Sequence, residues 1–241
     1  MSKVATHSDP LRLFVTPEHD CNYLEHEKAI TMFADPEYPK TPQVQSFLAS
    51  QGFRRSGEHL YRPRCPNCTA CIPIRVPVKQ FRPNRSQQRC RKLNQDLEVN
   101  LSAAKYSEEY YQLYCRYQDM RHPGGGMDNP TPKAFSDFLL CDWANTAMIE
   151  FRDQGQLLAV AVCDRLPDAL SAVYTFFEPQ ASRRSLGVFA VIWQIEQAQR
   201  DQLQWLYLGY LIKSCQKMAY KANYTPHEQM LENGWQEFIT S

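Results

Sequence analysis

The apolar positions in the second half of the chain follow two different spacings. Four short runs are rich in aromatic and β-branched residues and end at turn residues, which predicts strands. These runs are 147–152, 157–164, 170–177 and 205–212. Before the last run, apolar residues recur at i, i+3, i+4 and i+7 from Val188, the spacing of a helix that packs one face on a sheet. The pattern predicts an α+β fold in which three strands, a helix and a strand follow one another.

The first half alternates short strands and helices. Thr41 and the proline after it predict the start of a helix over 41–50. Two short runs around Ser-Gly predict a hairpin over 53–63. The run 72–78 reads as a strand, and its prolines predict a position at a sheet edge. After Pro83 no glycine or proline interrupts a further predicted helix.

We predict a domain boundary at residue 98. Residues 1–98 form a smaller, basic, cysteine-containing α+β domain, and residues 99–241 form the second domain. In the second domain, three successive glycines, Gly124 to Gly126, permit close backbone approach or unusual dihedral angles.

Composition limits the cellular compartments in which the protein is expected to reside. The 241 residues include no run of about 18 apolar residues, so no membrane span is expected. The polar start of the chain contains no apolar signal segment, which argues against secretion. We therefore predict a cytoplasmic protein whose nine cysteines are thiols or metal ligands rather than disulfides.

Charge is segregated along the chain. Eleven basic residues and one acidic residue lie between Arg54 and Lys92, a net +10, so the remainder carries −9 within a total of +1. In a helix after Pro83, Arg85, Arg89 and Lys92 fall on one face. Such a face suits contact with phosphates, although a merely solvated surface is the alternative.

A cluster of cysteines lies inside this basic segment. Cys65, Cys68 and Cys71 have the C-x2-C-x2-C spacing found in zinc and iron–sulfur sites. Cys21 is the first candidate for a fourth ligand, and Cys90 and His59 are the alternatives. Free thiols packed around a turn would give the same pattern.

The loop between the third strand and the helix resembles the acyl-coenzyme A loop of GNAT-type acyltransferases. Arg184 and Gly187 match the R/Q-x-x-G-x-G/A pattern, but Phe189 stands where that family has Gly or Ala. We interpret Phe189 as an obstacle to a pyrophosphate, which weakens coenzyme A as the ligand. The order of strands and helix matches the GNAT topology as well.

Near the end of the chain, a helix beginning at about Lys213 would align three lysines at i, i+4 and i+8. The other two are Lys217 and Lys221. We predict that this stripe contacts a carboxylate or phosphate, with a solvated stripe as the alternative.

Six blocks in one order resemble the bacterial aspartate/glutamate leucyltransferases, relatives of the eukaryotic arginyl-tRNA–protein transferases. They are C-x-Y-L with M-x-F-x-D-P, Y-R-P-x-C-x-x-C-x-A-C, F-x-P-x-R-S-Q-x-R, R-H-P-G-G-G-M, S-A-V-Y-T-F-F-E-P with R-S-L-G, and Y-L-G-Y-x-I with K-M-A-Y-K. The resemblance implies a GNAT-like domain after a cysteine-containing domain. It also implies transfer of leucine, with arginine as the alternative, from aminoacyl-tRNA to proteins beginning with Asp or Glu, which marks them for N-degron degradation.

This reaction requires no cofactor, although zinc or an iron–sulfur cluster could occupy the cysteines. The candidates for proton transfer are Tyr174 and Glu178. The candidates for binding donor and acceptor are Arg184, Gly187, Tyr210, Lys217, Tyr220 and Lys221. Those for tRNA are Arg82, Arg85, Arg89, Arg91 and Lys92, and those for metal are Cys21, Cys65, Cys68 and Cys71.

Two other functional classes are compatible with parts of this pattern. One is an N-acetyltransferase that uses acetyl-coenzyme A. The other is a metal-stapled nucleic-acid-binding protein without enzymatic activity, which would leave the acyltransferase-like second half unexplained.

Overall fold

The computed structural model describes residues 10–121 and 130–239. Over these residues the chain is a mixed α+β structure. The strands are β1 (Leu13–Val15), β2 (His19–Asp20), β3 (Lys28–Ala29), β4 (Thr31–Ala34), β5 (Arg54–Ser56), β6 (His59–Pro63), β7 (Ile72–Pro77), β8 (Glu98–Ala103), β9 (Thr146–Asp153), β10 (Gln156–Arg165), β11 (Ala169–Phe177), β12 (Trp205–Leu211), β13 (His227–Leu231) and β14 (Gly234–Phe238). The helices are α1 (Pro42–Ser50), α2 (Arg85–Leu93), α3 (Glu108–Arg121), α4 (Pro132–Leu139), α5 (Leu186–Arg200) and α6 (Gln216–Ala219), with 3-10 turns at Pro179–Arg184 and Tyr220–Asn223.

The central sheet has the order β14-β13-β7-β12-β11-β10-β9-β8. Strands β9, β10 and β11 form an antiparallel meander, and β12 is parallel to β11 after the crossover through α5. The predicted order of three strands, helix and strand is therefore confirmed.

Helices cover both faces of this sheet. Ala159, Ala161 and Cys163 of β10 pack in one core cluster with the apolar face of α5. Val160 and Val162 belong to a second cluster with aromatic residues of α3 and α4. Alternate residues of β10 are thus buried on opposite faces, which explains its nearly continuous apolar sequence.

A smaller sheet, in the order β1-β4-β6-β5, lies in the first part of the chain. The predicted hairpin is β5 and β6, and the predicted first helix is α1, where the Thr41 side chain accepts a hydrogen bond from the Val44 amide at 3.3 Å. Leu48 of α1 packs with Phe53 and Leu60 in a core of its own.

The edge position predicted for 72–78 is wrong. Strand β7 lies inside the central sheet, pairing with β12 along its length and with β13 at Ile74 and Arg75. Pro73 and Pro77 flank this two-residue contact, so a ladder on that side needs no amide from either proline. Strand β7, which precedes residue 98, belongs to the larger sheet, and the domain boundary at residue 98 stays a prediction.

The helix predicted from Lys213 is also wrong. Only Gln216–Ala219 is α-helical, and the 3-10 turn Tyr220–Asn223 follows. Lys213 and Lys217 are exposed, whereas Lys221 is 5% exposed. The three lysines therefore do not share one face. Within 10–121 and 130–239, no helix has the length and apolar character needed to cross a membrane.

Candidate functional site

A gap opens in the central sheet between β11 and β12. The two strands pair only over Ala169–Ser171 and Trp205–Tyr207. Beyond Ser171, β11 continues along β10 and β12 continues along β7, so the second halves of the two strands separate.

Arg54 of β5 lies in this gap. Its Nη2 donates to the carbonyl oxygens of Ala172 and Val173, each at 3.0 Å. Gly209 makes the approach possible, because a Cβ at this position would lie 2.2 Å from Arg54 Nη1. Sequence reasoning counted Arg54 only as part of the basic segment. A glycine inside a strand, as in Y-L-G-Y, is the signal of close backbone approach that could have indicated a neighbour here.

Tyr210 and Lys221 lie beside the guanidinium. Tyr210 is 1% exposed, and its hydroxyl is 2.9 Å from the carbonyl oxygen of Gly52, to which it donates. Lys221 Nζ donates to the Tyr210 carbonyl oxygen at 2.7 Å. Burial, followed by the charge of Arg54, lowers the pKa of Lys221 well below its usual value. Lys221 therefore does not belong to the lysine stripe with Lys213 and Lys217 that the sequence predicted.

Tyr174 lies on β11 directly after the two carbonyl groups that Arg54 binds. Aromatic rings surround it, with centroid distances of 6.1 Å to Tyr114, 6.3 Å to Tyr117 and 5.1 Å to Phe138. Burial raises the pKa of Tyr174 far above its usual value, so its hydroxyl stays protonated at neutral pH. This group is suited to donate a hydrogen bond rather than to remove a proton.

Gln118 of α3, which sequence reasoning missed, orients that hydroxyl. The side chain is 1% exposed, and Nε2 donates to the Tyr174 hydroxyl oxygen at 3.1 Å. Because Gln118 occupies a lone pair of this oxygen, the phenolic proton remains available for another acceptor. The Gln118 Oε1 atom is buried and has no hydrogen-bond partner within the described residues.

Glu178 and Arg184 lie at the two ends of the loop between β11 and α5. Both line a groove of about 510 Å³. The Glu178 carboxylate accepts from Arg116 Nε at 3.0 Å and from the Gln180 amide at 3.3 Å. Arg184 donates to both carboxylate oxygens of Asp96, at 3.0 and 2.9 Å, and to Asp153 at 2.8 Å. Both groups therefore hold the loop together, and proton transfer by Glu178 stays a prediction.

The start of α5 differs from what the loop motif suggested. Phe189 is buried, with its ring 5.4 Å from that of Phe151, so its side chain lies in the core rather than over the loop. Phe177 instead covers Gly187, where a Cβ would lie 3.1 Å from the Phe177 ring. The interpretation of Phe189 as the obstacle is therefore wrong, and Phe177 is the ring that packs on this glycine.

Helix α2 is the predicted basic helix. The Asn84 side chain accepts from the Gln87 amide at 2.9 Å, which fixes its start. Arg85, Arg89 and Lys92 are exposed, and no ion pair involving them occurs in the described parts of the chain.

The other two candidates for tRNA contact are engaged within the protein. Arg91 pairs with Glu196 at 3.0 Å, and Arg82 donates to the carbonyl oxygens of Lys79 and Phe81. Helix α2 also contacts the loop before α5, since Asn94 Nδ2 donates to the Arg184 carbonyl oxygen at 2.7 Å.

The four candidate metal-binding cysteines are half-buried neighbours. Burial, and then the nearby thiols of Cys21, Cys65 and Cys68, raise the pKa of Cys71 to about 12. Among the described residues, however, no group of three His, Cys, Asp or Glu side chains is placed to hold a metal ion. As arranged, these thiols do not form a ligand set, and metal binding stays a prediction.

The remaining predicted residues are Tyr220 and Lys217. Tyr220 begins the 3-10 turn that carries Lys221, and the residue is 43% exposed. Lys217 is exposed on α6. The glycine motif at 124–126 lies outside the described residues.

Comparison with known proteins places this architecture in a family. The model described as "Arginine-tRNA-protein transferase, N terminus" matches residues 19–89, and the one described as "Arginine-tRNA-protein transferase, C terminus" matches residues 109–231. The chain is 52% identical over 227 residues to the aspartate/glutamate leucyltransferase of Alcanivorax borkumensis, with 94% of each chain covered. The chain belongs to the aspartate/glutamate leucyltransferase family. A second member, from Pseudomonas fluorescens, is 52% identical over 93% of this chain and 96% of its own.

Membership in the leucyltransferase family makes the chain an aminoacyltransferase. The crystal structure of FemX superposes with a TM-score of 0.52 and 8% identity, covering 88% of this chain and 72% of FemX. That likeness concerns the fold alone, and it agrees with the GNAT-like topology of the leucyltransferase family member described here.

Proposed function

We propose that the protein transfers leucine from leucyl-tRNA to the N-terminal Asp or Glu of acceptor proteins and thereby marks them for degradation. The observation that carries this proposal is the 52% identity to proteins named aspartate/glutamate leucyltransferase over 93–94% of the chain. The cytoplasm, where charged tRNA is available, is the compartment in which we place the reaction.

The reaction makes modest chemical demands. The α-amino nitrogen of the acceptor attacks the ester carbonyl carbon, the new C–N bond forms, and the ester C–O bond to the tRNA ribose breaks. An α-amino group with a pKa of about 7.7–8.0 is partly neutral near pH 7, so positioning and stabilisation of the oxyanion supply most of the acceleration.

Tyr174 is the group that we assign to the developing oxyanion. Its hydroxyl is protonated because burial raises its pKa, and Gln118 leaves the phenolic proton available. The proton lost by the attacking amine goes to the departing ribose oxygen or to water. No step requires a metal or a cofactor.

For the tRNA, helix α2 is the contact that we propose. Replacing Arg85, Arg89 and Lys92 together by Gln removes three exposed charges. We expect the slope of log K against log salt concentration to become shallower by about 2–3, since each lost phosphate contact contributes about 0.7–0.9. Filter binding of tRNA across a salt series measures this slope.

A matched variant removes three exposed charges elsewhere, with Gln in place of Lys133, Arg165 and Arg200. Its slope is expected to remain that of the wild type. If the α2 variant also kept the wild-type slope, the tRNA footprint would lie on another surface.

One assay distinguishes the possible activities. The protein is incubated with labelled leucyl-tRNA, arginyl-tRNA or acetyl-coenzyme A, each with peptides that begin with Asp, Glu or Asn. We expect only leucine to be transferred, and far faster to the Asp and Glu peptides than to the Asn peptide. Transfer of arginine or acetyl groups would replace the proposed donor, and tRNA binding without transfer of any label would support the non-enzymatic alternative.

A further inference from the structure

Three basic side chains surround Tyr210, and within residues 10–121 and 130–239 none of them pairs with a carboxylate. Arg54 lies on β5, Arg62 on β6 and Lys221 on the 3-10 turn after α6. The charges of Arg54 and Arg62 both act on the Tyr210 phenol, and the charge of Arg54 also acts on Lys221. Like charges this close repel one another unless an anion joins them.

Neutral groups are their partners in the structure. Arg62 Nη1 donates to the Gln51 carbonyl oxygen at 2.7 Å, and Lys221 Nζ donates to the carbonyl oxygen of Tyr210. In the parts of the chain that are described, no ion pair includes any of the three cations. Other buried or half-buried arginines behave differently, since Arg55 pairs with Asp164 and Arg75 with Glu228.

Arg54 also has donors to spare. Only Nη2 binds protein acceptors, namely the carbonyl oxygens of Ala172 and Val173. Neither Nη1 nor Nε has an acceptor within the described residues, and neither is among the fully enclosed atoms that lack a partner. The Arg54 guanidinium is therefore half-buried and fixed through Nη2, while Nη1 and Nε remain open. Such an arginine can bind a carboxylate through two N–H groups.

The position relative to Tyr174 fits the reaction. Arg54 is bound to the carbonyl group of Val173, the residue directly before Tyr174 on β11. In an N-terminal Asp or Glu, a short carbon chain separates the side-chain carboxylate from the α-amino group. A carboxylate on Arg54 would therefore leave the α-amino group close to the ester that Tyr174 is proposed to polarise.

We propose that Arg54 binds the side-chain carboxylate of the acceptor's N-terminal Asp or Glu. This inference rests on the proposed function and identifies the residue that selects its acceptor. Arg184, predicted from the sequence for this role, already binds two carboxylates of the protein itself. Arg54 is thus a specificity residue that acts through the gap between β11 and β12.

The test compares Arg54→Met, Arg54→Lys and the wild type on two peptides that differ only in an initial Asp or Asn. Arg54→Met removes hydrogen bonds to the charged carboxylate and so weakens binding of the Asp peptide. We expect its kcat/KM to fall about tenfold to a hundredfold, through a higher KM. The Asn peptide should react equally with all three proteins, and Arg54→Lys should recover part of the preference for Asp. Arg165→Met, which removes an exposed arginine, should keep the wild-type ratio.

Two results would overturn the assignment. One is an Asp-to-Asn ratio in Arg54→Met equal to that of the wild type. The other is a loss of tRNA affinity in Arg54→Met that accounts for the whole effect, because Arg54 would then bind a tRNA phosphate. A wild-type protein that transfers no leucine would instead contradict the proposed function.

A measurement on the wild type covers the case in which Arg54→Met does not fold, and it needs no transfer activity. Phenylglyoxal modifies accessible arginines, and mass spectrometry locates the modified residue. The Asp peptide should protect Arg54 at least several-fold more than the Asn peptide does. Equal modification of Arg54 in the presence of either peptide would exclude carboxylate binding at this residue.

Discussion

Replacing Asp164 by Asn is expected to lower the free energy of unfolding by about 3–5 kcal/mol, because it leaves the Arg55 charge buried without a counter-ion. The side chains of Arg55 and Asp164 are 1% and 0% exposed. Asp164 accepts from Arg55 Nε at 2.6 Å and Nη2 at 2.9 Å, from Thr146 at 2.7 Å and from Gln45 at 3.1 Å. The amide of Asn has one oxygen and carries no charge, so it cannot satisfy these donors.

Equilibrium unfolding in urea measures this loss. The control is Asp137→Asn, which breaks an ion pair with Lys133 that is exposed on both sides and should change stability little. The combination of Arg55→Met with Asp164→Leu should recover much of the stability, because it removes both buried charges together. Equal effects of Asp164→Asn and Asp137→Asn would show that the buried pair contributes no more than a surface pair.

Local patterns were enough to predict most of the individual elements. The helix spacing from Val188 and the absence of helix breakers after Pro83 depend only on neighbouring residues, and both helices formed as expected. The errors arose where distant pairing decides the outcome. Strand β7 became central because β12 and β13, more than a hundred residues later, pair with it.

The site was less accessible to sequence reasoning for the same reason. Tyr174 came from the family resemblance and from its place on a predicted strand. The hydrogen bonds from Arg54 to Ala172 and Val173 join residues separated by 118 and 119 positions, and those from Gln118 to Tyr174 span 56. No periodicity or motif spacing reports contacts at such separations.

Two adjacent arginines of β5 connect the smaller sheet to the central sheet in different ways. Successive side chains of a strand point to opposite faces. Arg54 of β5 thus enters the gap beside β11, whereas Arg55 enters the core and meets Asp164 of β10. The smaller sheet therefore supplies a specificity residue and a structural anchor from one strand, so the acceptor site is incomplete without it.

Gly209→Ala is expected to reduce kcat/KM for leucine transfer to an Asp peptide by about tenfold to a hundredfold, because the added methyl group displaces the Arg54 guanidinium from the acceptor carboxylate. Gly209 has φ +79, and an added Cβ would lie 2.2, 2.3 and 2.5 Å from Arg54 Nη1, Cζ and Nε. The guanidinium must therefore leave the gap, in addition to the backbone strain of about 1–2 kcal/mol that alanine meets at positive φ.

Gly155→Ala separates these two causes. Gly155 has a similar φ of +84, but nothing lies within 4 Å of an added Cβ, so this variant should show the strain without the loss of activity. Combining Gly209→Ala with Arg54→Ala should cost little more activity than Arg54→Ala alone, since the clash is then absent and the two effects are not additive. If Gly209→Ala retained as much transfer activity as Gly155→Ala, the position of Arg54 between β11 and β12 would not matter for acceptor binding.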